Sequence, residues 1–183
     1  MSNRPLPTKE RLTRAAAELF RARGYHGVGL SELLAAAKAP KGSLYHHFPQ
    51  GKSDLALAAA NWASDGMLRI IAASFEPAQT FQNGATTLCH KLAKLFDTSG
   101  KWDGCPISAT LFEGPENESF RRHSRHLYEG WITEVNYHAV RLGQDEDTAR
   151  KQAEHLFMLL QGGWQLARAR QDSDVLRRIP TQL

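Results

Sequence analysis

The 183-residue chain has only two cysteines, Cys89 and Cys105. Two thiols cannot staple a small secreted scaffold, and such low usage points to a reducing compartment. No apolar run approaches the roughly 18 residues that a membrane-spanning helix needs. The opening stretch from Met1 to Thr8 is polar, with no apolar core of signal-peptide length. The expectation is therefore a cytoplasmic protein without a membrane partner. Missing too are a Walker-type Gly-rich loop, a Gly-x-Ser-x-Gly elbow and a His-Glu-x-x-His pair. No pair of acids stands out as a general acid and base, so no catalytic residue, cofactor or metal site is assigned. The 14 Gly and 8 Pro follow no repeat, which excludes a collagen-like chain. With 42% hydrophobic and 23% charged residues, the chain can bury a core and is not disordered.

Acidic residues are scarce at one end. The first 52 residues hold nine Lys/Arg against three Glu, a balance of +6. The rest holds 14 basic and 16 acidic groups, a balance of −2, which gives the net +4. A basic end on a mildly acidic body fits a polyanion partner, although a solvated basic face would look the same by charge alone.

Strand patterns are nearly absent, and helical spacing recurs from end to end. A first helix starts at Thr8, read as its N-cap, and places Leu12, Ala16, Leu19 or Phe20, and Ala22 inward until Gly24 supplies a left-handed cap. Helices follow over 30–37 (Leu33, Leu34 and Ala37 inward) and 41–48, separated by the breaker Lys38-Ala39-Pro40. A long helix over 52–74 aligns Leu55, Ala59, Trp62 and Ile70. Further helices are read over 78–97, 105–113, 116–142, 145–171 and 173–179, with Gly114-Pro115 and Gly143 as stops. The chain is expected to be all-α, with about nine helices.

Two short helices around a tight break make a helix-turn-helix. In the second, Leu44 and Phe48 lie four apart and face inward against the first helix. Lys41, Ser43, Tyr45, His46 and His47 are left pointing outward, all able to donate hydrogen bonds. Gly42, without a side chain, lets the helix start approach a duplex closely. The free N–H groups there favour phosphate. Such a helix fits the major groove, where base edges are read. Lys52, opening the next helix, is placed for a backbone phosphate.

These residues carry a resemblance. Leu19-Phe20, Gly24-Tyr25, Leu33-Leu34-Ala35, Gly42-Ser43-Leu44-Tyr45-His46-His47-Phe48 and Lys52 together look like the DNA-binding domain of the bacterial tetracycline-repressor (TetR) family, over about residues 8–65. The resemblance implies a homodimeric repressor whose third helix reads a palindromic operator. It implies that Tyr45 and Lys52 hold phosphates, that Lys41, Ser43, His46 and His47 reach bases or their edges, and that Ser31 is a further contact. Two positions depart from the family: Lys38 stands where Gly is usual, and Gly29-Leu30 replaces a Thr-rich start. Ala39-Pro40-Lys41-Gly42-Ser43, the one-residue-longer turn His-His-Phe-Pro-Gln-Gly-Lys, and Gly104-Cys105-Pro106-Ile107 resemble the LmrA/YxaF-like branch. That likeness implies flavonoids or other flat aromatic effectors.

Residues 1–51 are expected to form the DNA-binding domain, extending to about 65 with the start of the fourth helix, and 52–183 the ligand-binding and dimerisation domain. Leu156-Phe157-Met158-Leu159-Leu160 is apolar on almost every side, so its helix needs cover on more than one face. A second copy is the simplest partner, through Ala153, Leu156, Leu160, Gly163 and Ala167. A ligand pocket between the helices is expected to use Trp62, Phe96, Trp102, Phe112, Tyr128, Trp131, Phe157, Gln161 and Trp164. His123 and His126 have metal-ligand spacing but lie among Arg121, Arg122 and Arg125, whose charge disfavours a cation. The function expected is a repressor released from its operator by a small apolar or aromatic effector. An all-α enzyme with Cys105 as nucleophile, and a DNA binder without a ligand, stand as alternatives.

Overall fold

The computed structural model describes residues 6–101, 103–105, 107–112 and 118–183. Among them are nine α-helices, one 3-10 helix and no strand. The helices are α1 (Thr8–Arg23), α2 (Leu30–Ala36), α3 (Lys41–His47), α4 (Lys52–Phe75), α5 (Phe81–Thr98), α6 (Ser108–Leu111), α7 (Glu118–Arg141), α8 (Glu146–Arg170) and α9 (Asp174–Arg177), and the 3-10 turn Ile179–Gln182 ends the chain.

Most boundaries lie where local chemistry puts them. Pro77 follows the end of α4, and Gly143 (φ 97°) follows α7. Asp145 caps α8, its Oδ1 accepting the Thr148 N–H at 3.0 Å. Four points differ from the sequence reading. Thr8 is the first helical residue of α1, and Pro7 occupies the cap position without a side-chain hydrogen bond. Gly24 does have φ 72°, but its ψ of 165° sends the chain straight out instead of continuing a left-handed turn. The fifth helix begins at Phe81, three residues later than expected, because Thr80 Oγ1 accepts the Asn83 N–H at 3.1 Å. Among the described residues of 105–113, helix is confined to Ser108–Leu111, with Leu111 N–H donating to Ile107 O at 2.8 Å. The apolar character there reflects burial of Cys105, Ile107 and Leu111 rather than helical length. Gly114, Pro115 and the expected helix start at Glu116 lie outside the described residues.

The chain divides into two compact units. One comprises Met1–Ser64 with Pro106–Ser124, and the other Asp65–Cys105 with Arg125–Leu183. In the first, α1 packs against α2, α3 and α6. Leu12, Ala16, Phe20, Leu33, Leu44 and Phe48 are buried, each worth about 1.5–3 kcal/mol of transfer free energy if large and apolar. Ala22 is exposed and Leu19 and Leu34 half-buried, so the inward stripe of α1 runs through Ala15, Ala16 and Phe20. In the second unit, α5, α8, α9 and the 3-10 turn pack together. Phe81, Ala85, Leu88, Leu92 and Phe96 of α5 are buried, as are Leu127, Trp131, Val135 and Ala139 of α7.

Candidate functional site

The helix-turn-helix is built from its turn. Lys38 has φ 49°, in the left-handed region where the family residue is Gly. Arg11 holds that turn: its Nε donates to Ala37 O at 3.0 Å and its Nη2 to Lys38 O at 3.2 Å. One cation from α1 thus satisfies the last carbonyls of α2. Sequence reading counted Arg11 only as positive charge, and no local signal distinguishes it from its neighbours.

After the turn, Leu44 and Phe48 are buried. Lys41, Gly42, Tyr45 and His46 are exposed, Ser43 and His47 are half-buried, and Ser31 on α2 is exposed. The space around Gly42 is open. His46 and His47 meet edge to face, with ring centroids 4.8 Å apart. Tyr45, 47% exposed, does not project loosely: its ring lies over Gly51, where an added Cβ would come within 3.2 Å of Cε1. Gly51 also needs its φ of 65°. Lys52 is half-buried, and its ammonium stands 4.2 Å from the centroid of the Tyr25 ring. One short helix and the following turn therefore offer a cation, two imidazoles, a phenol and a hydroxyl on the side opposite the Leu44–Phe48 anchor.

The described residues expected to line a pocket fall in both units. In the second unit, Phe157, Gln161 and Trp164 share one face of α8. Trp131 packs on Phe157 (centroids 5.8 Å) and on Tyr128 (5.3 Å), and Phe96 meets Trp164 edge to face at 5.4 Å. Trp164 Nε1 donates to Asp103 O at 2.8 Å, and Cys105 Sγ lies 3.4 Å from the Tyr128 hydroxyl. Gln161 and Trp164 are half-buried within this cluster, whereas Phe96 and Trp131 are fully buried. Trp62 and Phe112 belong to the first unit, Trp62 37% exposed beneath the Arg14 guanidinium and Phe112 61% exposed. On α4, Leu55 and Ala59 are buried as expected, together with Ala56, Ala60, Ser64, Ile71 and Phe75, whereas Trp62 is exposed and Ile70 half-buried. Trp102 lies outside the described residues.

The stripe expected to meet a partner is also corrected. Ala153, Leu156, Leu160 and Ala167 are buried within the chain itself, so they have no surface left to offer. Gly163 faces inward too: an added Cβ would come within 2.8 Å of Ile179 Cδ1. The open apolar face of α8 is the other one, with Met158 at 65% exposure, Gly162 and Leu166 spaced four apart. Tyr137 and Val140 on α7 are likewise exposed.

His123 Nε2 meets Asn61 Oδ1 at 2.8 Å, and no metal-holding cluster of His, Cys, Asp or Glu occurs among the described residues. No described helix is long and apolar enough to cross a membrane.

Comparison with known proteins matches both parts of the chain. Residues 12–59 fit the model for bacterial regulatory proteins of the tetR family. Residues 77–182 fit that for the C-terminal domain of LmrA/YxaF-like transcriptional regulators. The HTH-type transcriptional regulator LmrA of Bacillus subtilis is 28% identical over 94% of this chain and 92% of its own length. Among solved structures, a TetR transcriptional regulator from Legionella pneumophila superimposes with a TM-score of 0.81 at 21% identity, covering 98% of this chain and 96% of the other. A cysteine mutant of the TetR-family regulator CifR, solved with a 26-bp double-strand operator DNA, gives a TM-score of 0.79 at 21% identity over 100% and 97% of the two chains. Together with the all-helical fold and the helix-turn-helix, the match over more than half of its length places this chain in the TetR family of transcriptional regulators, in the branch with an LmrA/YxaF-like C-terminal domain.

Proposed function

We propose that the protein is a cytoplasmic, dimeric repressor that binds a palindromic DNA operator and releases it when a small aromatic effector enters the second unit. The reading is carried by α3: Leu44 and Phe48 are buried while Lys41, Tyr45 and His46 stand exposed on the opposite side. Residues 1–51, extending to about 65 with the start of α4, form the reading head. Lys41, Gly42, Ser43, His46 and His47 lie against base edges, while Tyr45, Lys52 and Ser31 hold phosphates. Residues 52–183 bind the effector and join the two copies.

Pairing uses the exposed apolar groups Met158, Gly162 and Leu166 of α8 with Tyr137 and Val140 of α7, an isologous surface suited to a two-fold dimer. The effector lies against Tyr128, Phe157, Gln161 and Trp164, where aromatic faces and a few polar groups converge as in most small-molecule sites. It acts by its differential affinity for two settings of the paired reading heads, typically about 1–3 kcal/mol of coupling. Helix α4, which begins at Lys52, is the element that carries this change.

Titration by fluorescence anisotropy against a duplex selected from a random pool tests the reading. Binding is expected to weaken steeply with salt, because several phosphates per dimer release counterions. Tyr45→Ala and Lys52→Ala are each expected to lose roughly tenfold, the scale of one charge-assisted hydrogen bond. Salt-insensitive binding that neither substitution changes would overturn it.

A further inference from the structure

Tyr25 was part of a family motif in the sequence and received no role of its own. In the structure it is a junction within the first unit. Its ring packs on Phe20 (centroids 5.5 Å) and edge to face on Phe120 of α7 (5.6 Å). Its N–H donates to Ala109 O of α6 at 3.2 Å. The ring also carries the Lys52 ammonium, 4.2 Å from the centroid, and the Phe20 ring lies 5.9 Å from the same nitrogen.

We propose that Tyr25 is a positioning residue for operator binding: it is an aromatic socket, anchored to α6 and the first turn of α7, that sets where the Lys52 charge is presented to DNA. The assignment rests on the reading of Lys52 as a phosphate contact. A lysine stem has four flexible carbons, and ordering it on binding costs affinity. A π-face beneath the ammonium attracts it and holds it ready. Because the Tyr25 backbone and ring are fixed by Ala109 and Phe120, any shift of α6 or of the start of α7 moves the socket and the charge with it. The same α7 carries Trp131 eleven residues after Phe120, on the same buried stripe.

The test uses the full chain with Tyr25→Phe, Tyr25→Leu, Lys52→Ala and the double variant Tyr25→Leu/Lys52→Ala. The probe is a duplex that the wild-type chain selects from a random pool. Tyr25→Leu is expected to weaken binding roughly three- to fivefold, the scale of an exposed cation–π contact. Added to Lys52→Ala, it is expected to cause no further loss. Tyr25→Phe, which keeps the ring, is expected to bind like wild type. Without DNA, the Lys52 ε-methylene protons are expected to resonate upfield under the Tyr25 ring current in wild type and Tyr25→Phe, and to return to the ordinary lysine position in Tyr25→Leu. Losses that multiply in the double variant, or an unshifted Lys52 resonance in the wild-type chain, overturn the assignment. So does a Tyr25→Phe chain of unchanged melting temperature that loses affinity. A pool that yields no bound duplex overturns the operator reading itself, which is a distinct result.

Discussion

His138 is 2% exposed, stacked on Phe75 at 5.7 Å, with neither ring nitrogen making a well-formed hydrogen bond. Burial holds its pKa below the ordinary value near 6.5, although Glu134 Oε1, 3.4 Å from Nε2, and Glu76 pull upward, while Arg141 adds to the depression. The folded state therefore resists a proton that the unfolded chain accepts. Stability from this site is complete above about pH 6.5 and falls as the pH drops below it. Urea unfolding of wild type and His138→Phe between pH 7.5 and 5.5 checks this: the wild type is expected to lose more stability on acidification, and parallel curves would refute it. Cys89 is a simpler case. Burial pushes its thiol up to about 12, so it is expected to stay unmodified by maleimide at pH 7.5 until the chain unfolds, as read by mass spectrometry. Gly84 reports on packing, since an added Cβ would come within 2.2 Å of Phe75 Cδ1. Gly84→Ala is expected to cost about 1–3 kcal/mol through overpacking, measured by thermal unfolding.

Among the elements, α3 depends on its anchor more than on its own helix propensity. Seven residues are too few to be helical alone, so packing of Leu44 and Phe48 must hold them. Leu44→Ala is expected to cost about 2–5 kcal/mol and to weaken DNA binding without touching a contact residue. Unfolding and anisotropy measured on the same sample would show whether the two losses coincide. Much of this element was legible in the sequence, because Leu44 and Phe48 differ in polarity from everything else on the helix. The long α8 was less so. With apolar residues on both sides, its periodicity could not say whether Leu156 and Leu160 or Met158 and Leu166 faced the core. The overlong reading of 105–113 has the same origin, since burial and helicity look alike in a short apolar run. The start of α8 was legible at Asp145, whose side chain caps it. Thr80 was missed because the preceding Pro77 offered a competing start.

For the whole molecule, the pairing proposed through the exposed face of α8 is testable. Met158→Lys is expected to shift the protein from dimer to folded monomer in sedimentation and to weaken operator binding, because one reading head without the other loses the gain from two half-sites. Leu156→Ala, buried in its own chain, is expected to lower stability instead. If Met158→Lys and Leu166→Lys both left the sedimenting mass unchanged, the pairing surface would lie elsewhere.

The all-helical class, the reading helix with its outward Lys41, Tyr45 and His46, and the family itself were determined by the sequence alone. Period, turn residues and short motifs are local properties of a chain. The tertiary structure decided which apolar face of α8 stays open, that Phe96, Tyr128 and Phe157 gather around Trp164 and Trp131, and that Arg11 and Tyr25 brace the turn and Lys52. Those outcomes depend on contacts between residues far apart in the chain, and burial takes up side chains that periodicity treats as equivalent.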